Sequence, residues 1–206
     1  SILSMGLGLC LAIVTVWAKL ITNKITRTIA NLYTTVVRGV PELLVIYLIF
    51  FGGNSVVMSI AKLFGYNGYI ELNALTIGTI AIAFISATYS SEVLRAAYLA
   101  VNKGQIEAAK ALGINKFQIF FRVMGPQIMR HALPGIGNVW QITLKDTSLI
   151  SVTGLVEIMR QTRIASNVEH SPLTFLVTAA LLYLLLTTFS GKFFKFLELN
   201  FSKGYN

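Results

Sequence analysis

Long stretches without a charged residue dominate the chain. Four of them cover 1–18, 43–61, 72–91 and 171–191, and each consists mostly of apolar side chains. A helix needs about 20 apolar residues to cross the ~30 Å hydrocarbon core of a bilayer. These lengths therefore predict four membrane-spanning helices.

A fifth apolar stretch is interrupted. Residues 132–144 are uncharged, Lys145 and Asp146 follow, and 147–156 is uncharged again. Neither half can span a bilayer alone, but the two together can. We therefore predict an all-α integral membrane protein in which residues 1–206 form a single transmembrane domain. Its five spans cover about 1–19, 42–62, 72–94, 132–156 and 171–192.

The composition agrees with this class. Apolar residues make up 55% of the 206 residues and charged residues only 12%, about half the usual globular share. A soluble enzyme would need more polar side chains to cover its surface. The apolar content excludes intrinsic disorder, and a single cysteine, Cys10, excludes a disulfide scaffold. Since the first apolar stretch begins at Ser1, we expect further sequence before it.

Basic residues are unevenly distributed among the connecting segments. Thirteen of the 17 Lys and Arg residues lie after the first span, after the third span and in the C-terminal tail. Lys62, Arg160 and Arg163 lie on the other side, and Lys145 is in the fourth span. The positive-inside rule then predicts an extracytoplasmic N-terminus and a cytoplasmic C-terminus. The basic residues of the cytoplasmic segments account for the net charge of +9. We therefore do not interpret this charge as a sign of nucleic-acid binding.

The longest cytoplasmic segment, 95–130, contains helix signals. Residues 105–112 are mostly good helix formers, and Gly113 suits a left-handed helix end. Asn115 is a good N-cap for a second helix, which Pro126 is expected to end or bend. The segment therefore predicts two short helices joined by a tight turn near the membrane surface.

The same segment carries a family motif. Glu107, Ala108 and Ala109 are followed after three residues by Gly113 and after nine more by Val123-Met124-Gly125-Pro126. This spacing resembles the EAA motif of ABC-transporter permeases, in which a leucine stands at the place of Gly125. The segments 33–43, 132–138 and 144–149 resemble permeases of histidine, arginine, lysine and opine uptake.

The resemblance implies a type I importer for polar, mainly basic amino acids, with opines as the alternative substrates. Its parts would be two permease subunits, two cytoplasmic ATPase subunits and an extracytoplasmic binding protein in a bacterial cytoplasmic membrane. We expect the second permease to be a different chain, although a homodimer is the alternative. The sequence has no G-x-x-x-x-G-K-[ST] loop. We therefore expect no catalytic residue or cofactor on this chain, and ATP with Mg²⁺ at the partner ATPase.

The resemblance also implies an EAA-type coupling loop over about 102–126, and it assigns the ATPase-coupling role to one short segment within it. An ordinary amphipathic surface helix is the alternative interpretation. The segment consists of Glu107, Ala108, Ala109, Lys110, Ala111, Leu112 and Gly113.

Asp146 is the candidate substrate residue, because a charge at bilayer depth is costly and is usually functional. With Thr147, Ser148 and Ser151 it could line a polar cavity for a cationic or zwitterionic amino acid. The alternative is a structural ion pair of Asp146 with Lys145 or with another span.

Three shorter patterns complete the predictions. Glu92 and Arg95 are three residues apart on one predicted helix and should pair. Pro41 suits the first position of the second span, although a gating role for 38–41 is the alternative. The two histidines lie on opposite predicted sides of the membrane, so we expect no metal site.

Two other classes of protein are the alternatives to a transporter subunit. An intramembrane enzyme would need a nucleophile and a base within the spans, which offer only Lys145 and Asp146. A passive channel or scaffold would not need the segment 107–113.

Overall fold

The computed structural model describes residues 1–66, 68 and 73–202, and every regular element in this part of the chain is helical. Nine α-helices occur there, together with a π-helical segment at Ile119–Met124 and a 3-10 helix at Thr147–Thr153. The α-helices are α1 (Ile2–Leu20), α2 (Lys24–Gly39), α3 (Glu42–Leu63), α4 (Ala74–Ala100), α5 (Lys103–Ala111), α6 (Lys116–Gln118), α7 (Gly125–Asp146), α8 (Ile158–Glu169) and α9 (Pro172–Ser202).

Four of these helices are long and apolar enough to cross a membrane. They are α1, α3, α4 and α9, and they coincide with the four uninterrupted apolar stretches of the sequence. The prediction of an all-α membrane protein is thereby confirmed for the described residues.

The interrupted fifth stretch forms a composite element. α7 begins at Gly125, seven residues before the predicted span, and ends at Asp146. A 3-10 helix continues to Thr153, and Gly154 ends it with a φ of +96°. The element thus changes from α to 3-10 geometry immediately after Lys145 and Asp146.

α8 lies in a segment for which the sequence predicted no helix. Glu157 caps it, because the carboxylate accepts hydrogen bonds from the backbone N–H groups of Met159 (2.8 Å) and Arg160 (2.7 Å). His170 ends it in the left-handed conformation. Apolar periodicity gave little signal here, because only one side chain, Thr162, is buried.

α4 is the central helix of the fold. Within its most apolar window 61% of the residues are buried, against 11% in α3 and 6% in α9. Small residues make this possible: Ala81, Ala83 and Ala87 are fully buried and let neighbouring backbones approach closely. α3 and α9 expose most of their apolar side chains, as expected of helices that face lipid or other membrane subunits.

The directions of the helices follow from their contacts. Gly8 packs on Ser86, and Lys19 further along α1 reaches Glu92 further along α4, so α1 and α4 are parallel. α7 runs the opposite way, because Gly135 packs on Val93 and Ile150 packs on Gly78. α9 is antiparallel to α7, since Gly137 lies against Phe194 and Gln141 donates to the carbonyl of Thr187 at 3.0 Å.

Candidate coupling loop and membrane charge cluster

α5 is a short helix with two well-defined ends. Asn102 caps its start by accepting a hydrogen bond from the Gly104 N–H (2.8 Å). Gly113 follows its end with a φ of +73°, and its N–H donates to the carbonyl of Lys110 at 3.0 Å. The N–H of Ile114 donates to the carbonyl of Ala109 at 3.1 Å. The predicted left-handed helix end is confirmed, and only glycine adopts it without steric cost.

The two alanines of the EAA motif face in different directions. Ala109 is buried, whereas Glu107 and Ala108 are exposed. Lys110, Ala111 and Leu112 are exposed as well, and Leu112 remains 79% exposed although it is apolar. One face of α5 therefore packs on the protein, while the other presents a carboxylate, small side chains and a leucine outward.

The helix after Gly113 differs from the prediction at Pro126. Asn115 caps α6 as expected, accepting from the Gln118 N–H at 2.8 Å. Pro126 does not end the helical path, because α7 begins at Gly125 and continues through it. The preceding turns are π-helical, and the Gly125 N–H donates to the carbonyl of Phe120. This wider turn accommodates the proline, which lacks an N–H, within the first turn of α7.

Asp146 lies next to a second carboxylate. Its side chain contacts that of Glu42 at the start of α3. The Tyr89 hydroxyl of α4 donates to Glu42 at 3.2 Å, and the guanidinium of Arg38 lies 5.2 Å from the centre of the Tyr89 ring. We call Arg38, Glu42, Tyr89 and Asp146 the charge cluster.

The charge cluster has consequences for the role of Asp146. Lys145 is exposed and makes no ion pair within 4 Å in the part of the chain that the structure describes. Lys145 and Asp146 therefore form no close ion pair in the structure, and an ion pair of Asp146 with another span stays an alternative interpretation. Two adjacent carboxylates repel each other when both are charged, so a cation placed between Asp146 and Glu42 would be stabilised.

The other predicted pathway residues, Thr147, Ser148 and Ser151, have different contacts from Asp146. Thr147 donates to the carbonyl of Leu144 (2.7 Å) and lines a cavity of about 570 Å³ together with Glu157 and Tyr183. Ser148 contacts the Tyr183 hydroxyl, and Ser151 is buried. The predicted polar cavity formed by all four residues therefore stays a prediction: Thr147 lines this cavity, Ser148 contacts Tyr183, and Asp146 contacts Glu42.

A second polar cavity adjoins the charge cluster. It measures about 430 Å³ and is lined by Thr34, Thr35, Arg38, Gly39, Tyr89 and Glu92. Glu92 forms the predicted pair with Arg95 at 3.1 Å. It also pairs with Lys19 of α1, whose side chain is only 3% exposed. Sequence spacing gave no sign of this second pair, because 73 residues separate its partners.

Four membrane-crossing helices, an exposed short helix after α4 and a cluster of ionisable side chains beside the long helices define the class of membrane-embedded transport proteins. A family model described as "Binding-protein-dependent transport system inner membrane component" matches residues 5–202. The chain belongs to this family. The resemblance drawn from the EAA-type spacing is thus confirmed.

Similar proteins include permeases named for the transport of opines and of basic amino acids. The octopine transport system permease protein OccQ of Rhizobium meliloti is 49% identical over 85% of this chain and 74% of its own length. The nopaline transport system permease protein NocQ of Agrobacterium fabrum (strain C58) is 53% identical over 82% and 72%. The histidine/lysine/arginine/ornithine transport system permease protein HisQ of Escherichia coli (strain K12) is 38% identical over 99% and 89%.

A solved structure has a similar fold. It is described as the crystal structure of an amino acid ABC transporter with histidines. The two superpose with a TM-score of 0.80 at 28% identity, over 97% of this chain and 87% of the other.

Proposed function

We propose that the chain is the membrane-spanning permease subunit of an ATP-driven importer of polar amino acids in a bacterial cytoplasmic membrane. ATP hydrolysis would take place on two partner ATPase subunits, and an extracytoplasmic protein would deliver the substrate. Family membership supports this assignment. The observation that carries it is the exposed α5, which offers Glu107 and Ala108 outward between membrane helices.

Five alternating spans and a cytoplasmic α5 are part of the proposal. α1 and α4 are parallel and α7 runs opposite to α4 and α9, as alternate crossings require. α7 with its 3-10 continuation would be the fourth span. The thirteen basic residues of the connecting segments and tail then lie on the cytoplasmic side.

Coupling would occur through residues 107–113. The exposed face of α5 is narrow because Ala108 and Ala111 have small side chains, so it can enter a cleft in an ATPase subunit. Glu107 adds a carboxylate that can pair with a basic partner, and Leu112 adds an apolar contact. Gly113 returns the chain sharply to the membrane, which keeps this surface compact.

The substrate pathway would pass the charge cluster. Asp146 and Glu42 supply adjacent carboxylates for a cationic group, and Arg38 supplies a guanidinium for a carboxylate group. Such an arrangement suits a basic amino acid, which carries both charges. The basic amino-acid transporters among the relatives support this substrate class.

Opines are the second candidate substrate. The relatives named for octopine and nopaline transport are 49% and 53% identical to this chain, against 38% for the relative named for histidine and related amino acids. This higher identity favours an opine importer as the specific alternative.

Reconstitution tests the proposed function. The chain would be co-expressed with the permease, ATPase and binding-protein genes that neighbour it, and the complex would be placed in liposomes. We expect ATP-dependent uptake of labelled arginine, histidine, octopine or nopaline that requires the binding protein. Co-purification without any ATPase, or uptake without ATP, would contradict the proposal. The same preparation would show whether the second permease is a different chain, as we expect, or a second copy.

A further inference from the structure

A basic cavity separates α5 from the end of α4 and the π-helical segment. It measures about 400 Å³, and its polar lining consists of Lys103, Lys110, Lys116 and Glu107. All three lysines are exposed. None of them makes an ion pair within 4 Å among the described residues. Three lysines against one carboxylate therefore leave the cavity with an excess of positive charge, which no ion pair among the described residues neutralises.

An apolar groove continues from this cavity along the membrane helices. It has a volume of about 540 Å³, and Trp17 of α1, Tyr98 of α4 and Phe120 of the π segment contribute to its walls. The groove and the basic cavity share Tyr98, Lys116 and Met124. They are thus two parts of one depression, which changes from apolar to basic where α1 and α4 end.

We propose that this depression holds an anionic phospholipid, with an acyl chain along α1 and α4 and the phosphate between Lys103, Lys110 and Lys116. A phospholipid matches the depression in order: its apolar acyl chains suit the groove, and its negatively charged phosphate suits the basic cavity. Basic pockets between membrane helices recognise anionic headgroups in this way. Aromatic side chains such as Trp17 and Tyr98 favour the level of the headgroups.

Charge complementarity selects an anionic lipid over a zwitterionic one. The headgroup of phosphatidylcholine would bring its own cation into a cavity that already contains three lysines, whereas phosphatidylglycerol brings only negative charge. Glu107 offsets part of the positive charge but not all of it. A carboxylate of a docked ATPase could occupy the basic end, but it would leave the apolar groove unfilled.

Trp17 allows the lipid to be detected directly. The chain has two tryptophans, and Trp140 lines a different cavity. The protein would be extracted with any subunits that stay bound and placed in phosphatidylcholine nanodiscs with increasing fractions of phosphatidylglycerol with brominated acyl chains, which quench tryptophan fluorescence. Subtracting the signal of Trp17→Phe isolates the groove. The same measurement with brominated phosphatidylcholine gives the quenching of Trp17 by surrounding lipid that is not bound selectively.

We expect phosphatidylglycerol to quench Trp17 at about tenfold lower mole fraction than phosphatidylcholine, since each basic side chain near a membrane surface favours anionic lipid by up to roughly fivefold. Lys103→Gln, Lys110→Gln and Lys116→Gln combined should reduce the preference to about twofold or less. The control Lys192→Gln with Lys195→Gln, at the end of α9 on the same side, should retain it. Equal quenching of the unmodified protein by both lipids would overturn the proposal without any variant. A similar loss of preference in the control would overturn it too.

Discussion

Lys19 of α1 forms an ion pair with Glu92 of α4, and the two side chains differ in their remaining partners. Lys19 is almost completely buried, and its one further polar partner among the described residues is the hydroxyl of Thr34 (2.7 Å). Glu92 is 28% exposed and has Arg95 as a second basic partner. The buried ammonium therefore depends on Glu92 more than the carboxylate depends on Lys19.

This asymmetry predicts unequal effects of two substitutions. Glu92→Gln leaves a buried ammonium without a carboxylate and should destabilise the protein by about 3–5 kcal/mol. Lys19→Met leaves Glu92 paired with Arg95 and should cost clearly less. Thermal unfolding of the detergent-solubilised protein, followed by size-exclusion chromatography, measures both. Lys195→Gln serves as control, because the exposed Lys195–Glu198 pair (3.5 Å) should add little. Equal losses for both substitutions would contradict the asymmetry.

Gly8 and Gly6 give a second prediction about the contact of α1 with α4. A Cβ at Gly8 would overlap the Ser86 hydroxyl and lie 3.1 Å from the carbonyl of Ala83, whereas one at Gly6 would have nothing within 4 Å. Gly8→Ala should therefore destabilise the protein by about 1–3 kcal/mol through overpacking. Gly6→Ala, two residues away on the opposite, exposed face of the helix, should not. The same unfolding assay compares them, and a tolerated Gly8→Ala would show that the helices separate easily.

The local structure of residues 102–118 was largely predictable, since it depends on neighbours in sequence. Gly113 and Asn115 have the predicted roles because helix ends are determined by backbone conformation and by nearby N–H groups. Pro126 was misjudged in part, because the π-helical turns that accommodate it have no clear sequence signal. The pair of Glu92 and Arg95 was predictable from its spacing alone.

The charge cluster was not predictable in the same way. Asp146 drew attention because charge is costly at bilayer depth, but its neighbour Glu42 looked like an ordinary acid at a helix start. The packing of α3 beside the 3-10 helix brings these residues together, and no local pattern encodes that packing. Lys19 was assigned to membrane topology for the same reason, although its side chain is buried between helices.

Coupling can be tested at the left-handed helix end. Gly113→Val places a β-branched side chain where φ is +73°, which costs roughly 1–2 kcal/mol and should displace the exposed face of α5. Gly113→Asn is the matched control, because asparagine tolerates this conformation. We expect uptake and ATPase co-purification to fall in the first variant and to persist in the second, with equal amounts of inserted protein. Normal uptake in both would argue against a role of this turn in coupling.

Charge reversal in α5 provides a separate test. Glu107→Lys should reduce uptake at least about tenfold, as expected when a charge at a protein interface meets a like charge. Glu169→Lys makes the same change at the exposed end of α8 and should leave uptake unchanged. ATP-dependent uptake per inserted protein is the measurement. A similar reduction in both variants would indicate a general effect of charge and not a docking contact.

Topology predicts which positions react from outside the cell. Single cysteines at 103 and 116, in a Cys10→Ser background, should resist a membrane-impermeant thiol reagent in intact cells. Cysteines in the segment 67–71 should react, because this connection is predicted to be extracytoplasmic; residues 67 and 69–71 lie outside the described part of the chain. Labelling of position 103 without cell lysis would contradict the assignment.

The role of Asp146 can be decided by comparing substrates. Asp146→Asn keeps the side-chain shape and removes the charge that would meet a cationic substrate. Loss of one desolvated contact of about 1.4–3 kcal/mol would weaken arginine transport roughly 10- to 150-fold, while glutamine uptake should fall less. Glu42→Gln should act in the same direction, because the two carboxylates face each other.

If Asp146 and Glu42 serve only the structure, both variants should reduce the uptake of arginine and of glutamine equally and should also lower thermal stability. Side-by-side uptake, normalised to inserted protein, separates these outcomes, and equal proportional losses would exclude the binding role whatever their size.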